Sequence, residues 1–72
     1  MIEATKLNGK TVFINPHLIE AIEMIEDNPD VRINFINGKM IVVKDSPQVL
    51  MNRIIDYRQK LGIGITGPTL KS

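Results

Sequence analysis

Residues 31–61 read VRINFINGKMIVVKDSPQVLMNRIIDYRQKL, and their order decides the fold. Two apolar, β-branched runs flank Asn37-Gly38. That dipeptide is the strongest short-range hairpin signal, because a two-residue type I′ turn needs positive φ at both central positions. Asp45-Ser46-Pro47 then closes the second run and opens a helix. Ser46 is a good N-cap, and Pro47 brings the fixed φ that suits the first helical position. Pairing outward from a two-residue turn sets Phe35 beside Met40, Ile33 beside Val42 and Val31 beside Lys44. Val31, Ile33, Phe35, Met40 and Val42 then share an apolar face, and Arg32, Asn34, Ile36, Ile41 and Val43 share a mixed one. A slip of one residue would exchange the two faces.

The helix that follows carries Leu50, Ile54, Tyr57 and Leu61 in one stripe, widened by Met51 and Ile55. Gln48, Asn52, Asp56 and Gln59 take the opposite face. The stripe is expected to cover the hairpin's apolar face, each buried side chain contributing about 1.5–3 kcal/mol, most of it offset by chain entropy. Gly62 and Gly64 end the helix. The remainder, residues 62–72, is a glycine-rich tail without periodicity, expected to be mobile or to act as a docking arm.

Toward the N-terminus, Ile2–Leu7 and Lys10–Ile14 flank a second Asn-Gly at Asn8-Gly9. A two-residue turn there sets Leu7 beside Lys10, Thr5 beside Val12 and Glu3 beside Ile14, with Ala4 and Phe13 on the other side. Neither face is then cleanly apolar. Asn15-Pro16 breaks the strand, with Asn15 placed to cap a helical turn. Residues 16–26 fit a short turn at Pro16–Ile19 and a strand from about Glu20 to Ile25. A continuous helix is the alternative, since periodicity does not separate the two over so short a run. Asp27-Asn28-Pro29-Asp30 is a turn by composition. N-G-K at 8–10 and again at 37–39 is a faint internal echo, too thin for a repeat protein. The expected fold is α+β: a small antiparallel sheet of four to five strands, with two Asn-Gly hairpins, packed by one C-terminal helix. A single domain spans residues 1–61.

Seventy-two residues allow one small core. With no cysteine, there is no disulfide or thiolate metal site to staple it. No run approaches the roughly 18 apolar residues of a membrane span, and Met1-Ile2-Glu3-Ala4 lacks the start of a signal peptide, so the cytoplasm is the expected compartment. Nine basic and eight acidic residues leave a net charge of +1, without the basic excess of a nucleic-acid domain. The charge is nonetheless segregated. Glu20, Glu23, Glu26, Asp27 and Asp30 fall in a stretch with no Lys or Arg, whereas Arg53, Arg58 and Lys60 face Asp56 alone. These blocks can pair within the fold or between copies.

Catalysis needs a nucleophile beside a base, paired carboxylates in a cleft, or a metal. His17 is the single imidazole and has no evident partner. The D-N-P-D turn has too few oxygen ligands and the wrong spacing for an EF-hand. N-G-K lacks the glycine spacing of a phosphate loop. The expectation is a non-enzymatic protein without cofactor or metal. Its candidate partner surface is Glu20, Glu23 and Glu26, Arg32 and Asn34 on the hairpin's outer face, and Arg53 and Arg58 flanking the helix stripe.

IEATKLNGK at 2–10, INPHLIEAIE at 14–23, INGKMIVVKDS at 36–46 and RIIDYR at 53–58 together resemble the small flagellar FlbD family, whose members are also called swarming motility protein SwrD. The resemblance covers about residues 1–60 and lies in the order and spacing of these segments. It implies a cytoplasmic accessory of flagellar motility that supports motor output through contacts with a motor or stator protein. Such a protein would be membrane-proximal through its partner. The family supplies no catalytic residues to carry over. Two other classes stay open: strand, N-G, strand and capped helix also resemble the ending of LytTR-type DNA-binding domains, and a self-assembling structural module, a homo-oligomer, fits the segregated charge.

Overall fold

The computed structural model describes residues 1–61; the tail at 62–72, with the role expected for it, lies outside the described residues. Five strands, β1 (Ile2–Thr5), β2 (Thr11–Ile14), β3 (Ile19–Met24), β4 (Val31–Phe35) and β5 (Met40–Val43), precede one helix, α1 (Pro47–Lys60). The architecture is α+β, as expected. The strands are divided, however, into a two-stranded sheet, β1-β2, and a three-stranded sheet, β3-β4-β5. An antiparallel bridge between Lys6 and Val43, with the Lys44 N–H donating to the Thr5 carbonyl at 2.8 Å, joins them.

Both hairpins depart from the expected register by one residue, for one reason. The Gly9 N–H donates to the Lys6 carbonyl at 2.9 Å and the Lys6 N–H to the Lys10 carbonyl at 2.9 Å. The loop is therefore three residues long, Leu7-Asn8-Gly9, and only its glycine has positive φ, +85°. The second hairpin repeats this: Gly38 (φ +87°) donates to Phe35, and Phe35 donates to Lys39. This is the three-residue loop, a type I turn closed by a left-handed glycine, and not type I′. In each loop the Asn side chain (Asn8 or Asn37) accepts from the Lys N–H two residues on, at 2.9 Å.

The slip moves side chains across the sheets. In the first hairpin Ile2 pairs with Ile14 and Ala4 with Val12. Ile2, Ala4 and Ile14 are buried, while Phe13 is 65% exposed. In the second, Val31 pairs with Val43 and Ile33 with Ile41. Val31 and Ile33 are buried as expected. Met40 and Val42 are replaced on that face by Ile41 and Val43; Val43 is fully buried and Met40 is 59% exposed.

Between the hairpins, Asn15 caps a single 3-10 turn at Pro16–Leu18 by accepting from the His17 N–H, with Pro16 at its first position. The chain then enters β3, so the strand reading of this segment holds and the continuous helix does not. At α1 the Ser46 hydroxyl accepts from the Val49 N–H at 3.2 Å, with Pro47 first in the helix. Leu50 and Ile54 are buried and join Ile2, Ala4, Ile14, Val31, Ile33 and Val43 in one core, with Tyr57 partly buried beside it. The stripe is narrower than expected. Met51, Ile55 and Leu61 are exposed, because α1 leans on β1 and β3 along the Leu50–Ile54–Tyr57 line alone.

Candidate partner-binding surface

The expected partner residues fall into five places. Glu23 on β3 stands opposite Arg32 on β4, on the sheet face turned away from the core. One oxygen of Glu23 accepts from Arg32 Nε at 3.1 Å, Arg32 Nη2 at 2.8 Å and Asn34 Nδ2 at 2.8 Å. These bonds, the Arg32 bond foremost, hold the Glu23 carboxyl below its ordinary range. Both side chains of the ion pair are over 40% exposed, so the cluster adds little stability. It does order three polar side chains on an open strand surface.

Arg53 is committed elsewhere. Its Nη1 donates to Asp45 Oδ2 at 2.8 Å and to the Glu3 carbonyl at 2.6 Å, while Asp45 Oδ1 accepts from the Thr5 N–H. Asp45 is 7% exposed against 39% for Arg53. The pair fastens the turn before α1 to β1. Arg58, Glu20 and Glu26 are exposed and separate from one another in the fold: Arg58 on the last turn of α1, Glu20 at the irregular start of β3, and Glu26 in the β3–β4 turn. His17 lies edge-on to Tyr57, ring centroids 5.9 Å apart, and so packs the 3-10 turn against α1. Among the described residues no three His, Cys, Asp or Glu side chains gather as metal ligands.

The sequence reading missed a larger feature. Between the two sheets runs an open groove of about 530 Å³. Phe35 and Ile41 from the second hairpin and Val12 and Phe13 from the first form much of its apolar lining, with Met40 and Leu18 at its sides. Lys6 and Lys39 are the charged groups that line it. Neither belongs to an ion pair among the described residues. Exposed aromatic and methionine side chains around a concave surface are unusual on a lone small domain. The groove was hidden because the two-residue turn placed Met40 under the helix. The signal was present in Phe13, which alternation puts opposite Val12 and Ile14.

The family model described as flagellar and swarming motility proteins, FlbD, matches residues 1–62, which is the whole of the described domain. The chain belongs to this family. No curated protein and no solved structure matches it. No helix among the described residues is long and apolar enough to cross a membrane.

Proposed function

We propose that this FlbD-family chain is a non-enzymatic accessory of flagellar motility, acting in the cytoplasm and supporting motor output through contact with a motor or stator protein. The observation that carries the reading is the family match over residues 1–62. The surface chemistry supports it. The polar groups of Glu23, Arg32 and Asn34 are pre-ordered on an open sheet face, and pre-ordered side chains lower the entropic cost of docking.

The test has two arms. Motile cells lacking the gene are complemented with the parent chain or with Arg32→Ala/Asn34→Ala, and swimming and swarming are scored. In parallel, the tagged full chain is crosslinked in motile cells and its captured proteins identified. The expected result is a motility defect restored by the parent and not by the variant, with a motor or stator protein captured. Normal motility in the deletion strain, together with capture of no flagellar protein, would overturn the reading. Steeply salt-dependent binding of DNA by the purified chain would also overturn it, in favour of a nucleic-acid module.

A further inference from the structure

The groove and the charge segregation belong together. The groove lies at the end of the three-stranded sheet marked by Phe35, Lys39 and Met40. The opposite end of β4 begins at Val31, just after the β3–β4 turn. That turn holds Glu26, Asp27 and Asp30, none in an ion pair among the described residues. Immediately before it, Met24 is 75% exposed. Lys44, beside Val43 and so at the same end, leaves the balance there acidic. An apolar side chain followed by carboxylates thus projects from one end, and the apolar groove opens at the other, with Lys39 at that end and Lys6, bridged to Val43, farther along its wall.

We propose that the groove receives the β3–β4 turn of a second copy of this chain. Met24 would enter the apolar lining between Phe13, Phe35 and Met40, and the carboxylates of Glu26 and Asp30 would face Lys6 and Lys39. A turn cannot reach the Phe35–Met40 end of the groove in its own molecule, because the length of β4, five residues or about 16 Å, separates them. The contact is therefore intermolecular. It joins two different surfaces and so is heterologous, leaving one free groove and one free turn on every pair; association continues head to tail until a ring closes. Edge-to-edge pairing of two β3 strands is the weaker solution. Glu20 and Glu23 would be crowded along the shared edge there, and charged edges of this kind oppose sheet addition.

The surface is small for a permanent interface, so the association is weak and concentration-dependent. The inference concerns the purified chain alone and stands or falls separately from the motility reading. The full chain is followed by sedimentation velocity across a concentration series at low and high salt. We expect the mean mass to rise with concentration past that of a dimer, and the apparent Kd to weaken about fivefold or more in high salt, as screened charges predict. Lys6→Glu/Lys39→Glu and Glu26→Lys/Asp30→Lys each weaken association about tenfold or more. Mixed in equal amounts, they recover it to within about threefold of the parent, since each reversed surface then meets its complement. Circular dichroism melts confirm that both variants fold. A strictly monomeric parent at the highest concentration in low salt overturns the proposal, as does a dimer that stops at two copies. Association indifferent to both charge reversals, or a mixture that fails to recover, also overturns it.

Discussion

Asp45→Ala separates the contributions holding the helix to the first hairpin. Asp45 stands between β5 and α1, and its two oxygens serve different partners: Oδ1 accepts from the Thr5 N–H and Oδ2 from Arg53 Nη1. The Thr5 bond joins a backbone amide to a carboxylate that is 7% exposed. Losing a bond to a buried charged acceptor costs about 1.5–3 kcal/mol. The Arg53 guanidinium is 39% exposed, so solvent screens its share, which falls to about 1 kcal/mol or less. The expected loss is about 2–3 kcal/mol, a large part of the roughly 4–10 kcal/mol that a chain of this size holds. In a domain this small that lowers Tm by about 10–20 °C.

The companion variant, Arg53→Met, keeps the packing of the side-chain stem and leaves the Thr5 bond intact. Water can enter where the guanidinium stood, so its cost is expected to be smaller, about 1 kcal/mol. Salt should narrow the gap between Arg53→Met and the parent and leave most of the Asp45→Ala gap in place. Thermal melts by circular dichroism at neutral pH, in low and high salt, read both effects. An Asp45→Ala chain melting within about 3 °C of the parent would refute the reasoning. So would an Arg53→Met chain that loses more than Asp45→Ala, since neutralising Asp45 would then matter more than the Thr5 bond.

Other expectations follow from the same geometry. Gly38→Ala meets no atom within 4 Å of the added Cβ, so its cost is the left-handed backbone alone, about 1–2 kcal/mol; Asn37→Ala loses a single exposed side-chain bond to the Lys39 N–H and costs less than 1 kcal/mol by about half. Equal destabilisation in urea titrations would indicate a turn with positive φ at both positions. Ile33→Asp or Ile54→Asp abolishes cooperative unfolding, because each puts a charge among the buried core residues; a parent-like melt of either would reject the shared core. Because the Glu23 carboxyl is held low in the folded chain, its contribution is present above the ordinary glutamate value of 4.5 and is lost as pH falls below that through the folded value. The Tm difference between parent and Glu23→Gln is therefore expected at neutral pH and vanishes in acid; a difference that grows on acidification would contradict the Arg32 and Asn34 bonds. Removing residues 62–72 is expected to leave one cooperative transition, since the described residues already form a shared core between Ile2 and Ile54; its loss in calorimetry would place the tail in the core.

What was legible in the sequence was the punctuation. Asn15-Pro16 and Ser46-Pro47 act where capping chemistry puts them, and each cap's side-chain oxygen finds its backbone N–H. The Leu50–Ile54–Tyr57 stripe was legible because a helix has one period, whereas the strand at 19–24 was one of two open readings, since so short a run fits either period. The committed role of Arg53 was not legible. It rests on Asp45 and on Glu3, fifty residues away, and no local pattern announces a contact of that separation.

Register was the harder matter, and the surface features depend on it. Asn-Gly suits a two-residue loop with both residues left-handed, and equally a three-residue loop with only the glycine so. In the first hairpin the two-residue register mixes Glu3 with Ile14 and Thr5 with Val12, whereas the three-residue register gathers Ile2, Ala4, Val12 and Ile14 on one face. Burial therefore prefers the longer loop, and the mixed faces were themselves the sign of a wrong turn. The second hairpin offers no such clue, because β5 is Met-Ile-Val-Val and is apolar in either register. Its resolution comes from the first: both loops are N-G-K with the same Asn-to-Lys bond, so the faint echo in sequence is a shared turn geometry. The longer loops bury Val43 and Ile14 and turn Met40 and Phe13 outward. A type I′ turn would have spent Met40 on the core; the left-handed glycines at 9 and 38 instead leave Phe13 and Met40 in the walls of the groove. The turn type thus fixes the core and the groove together.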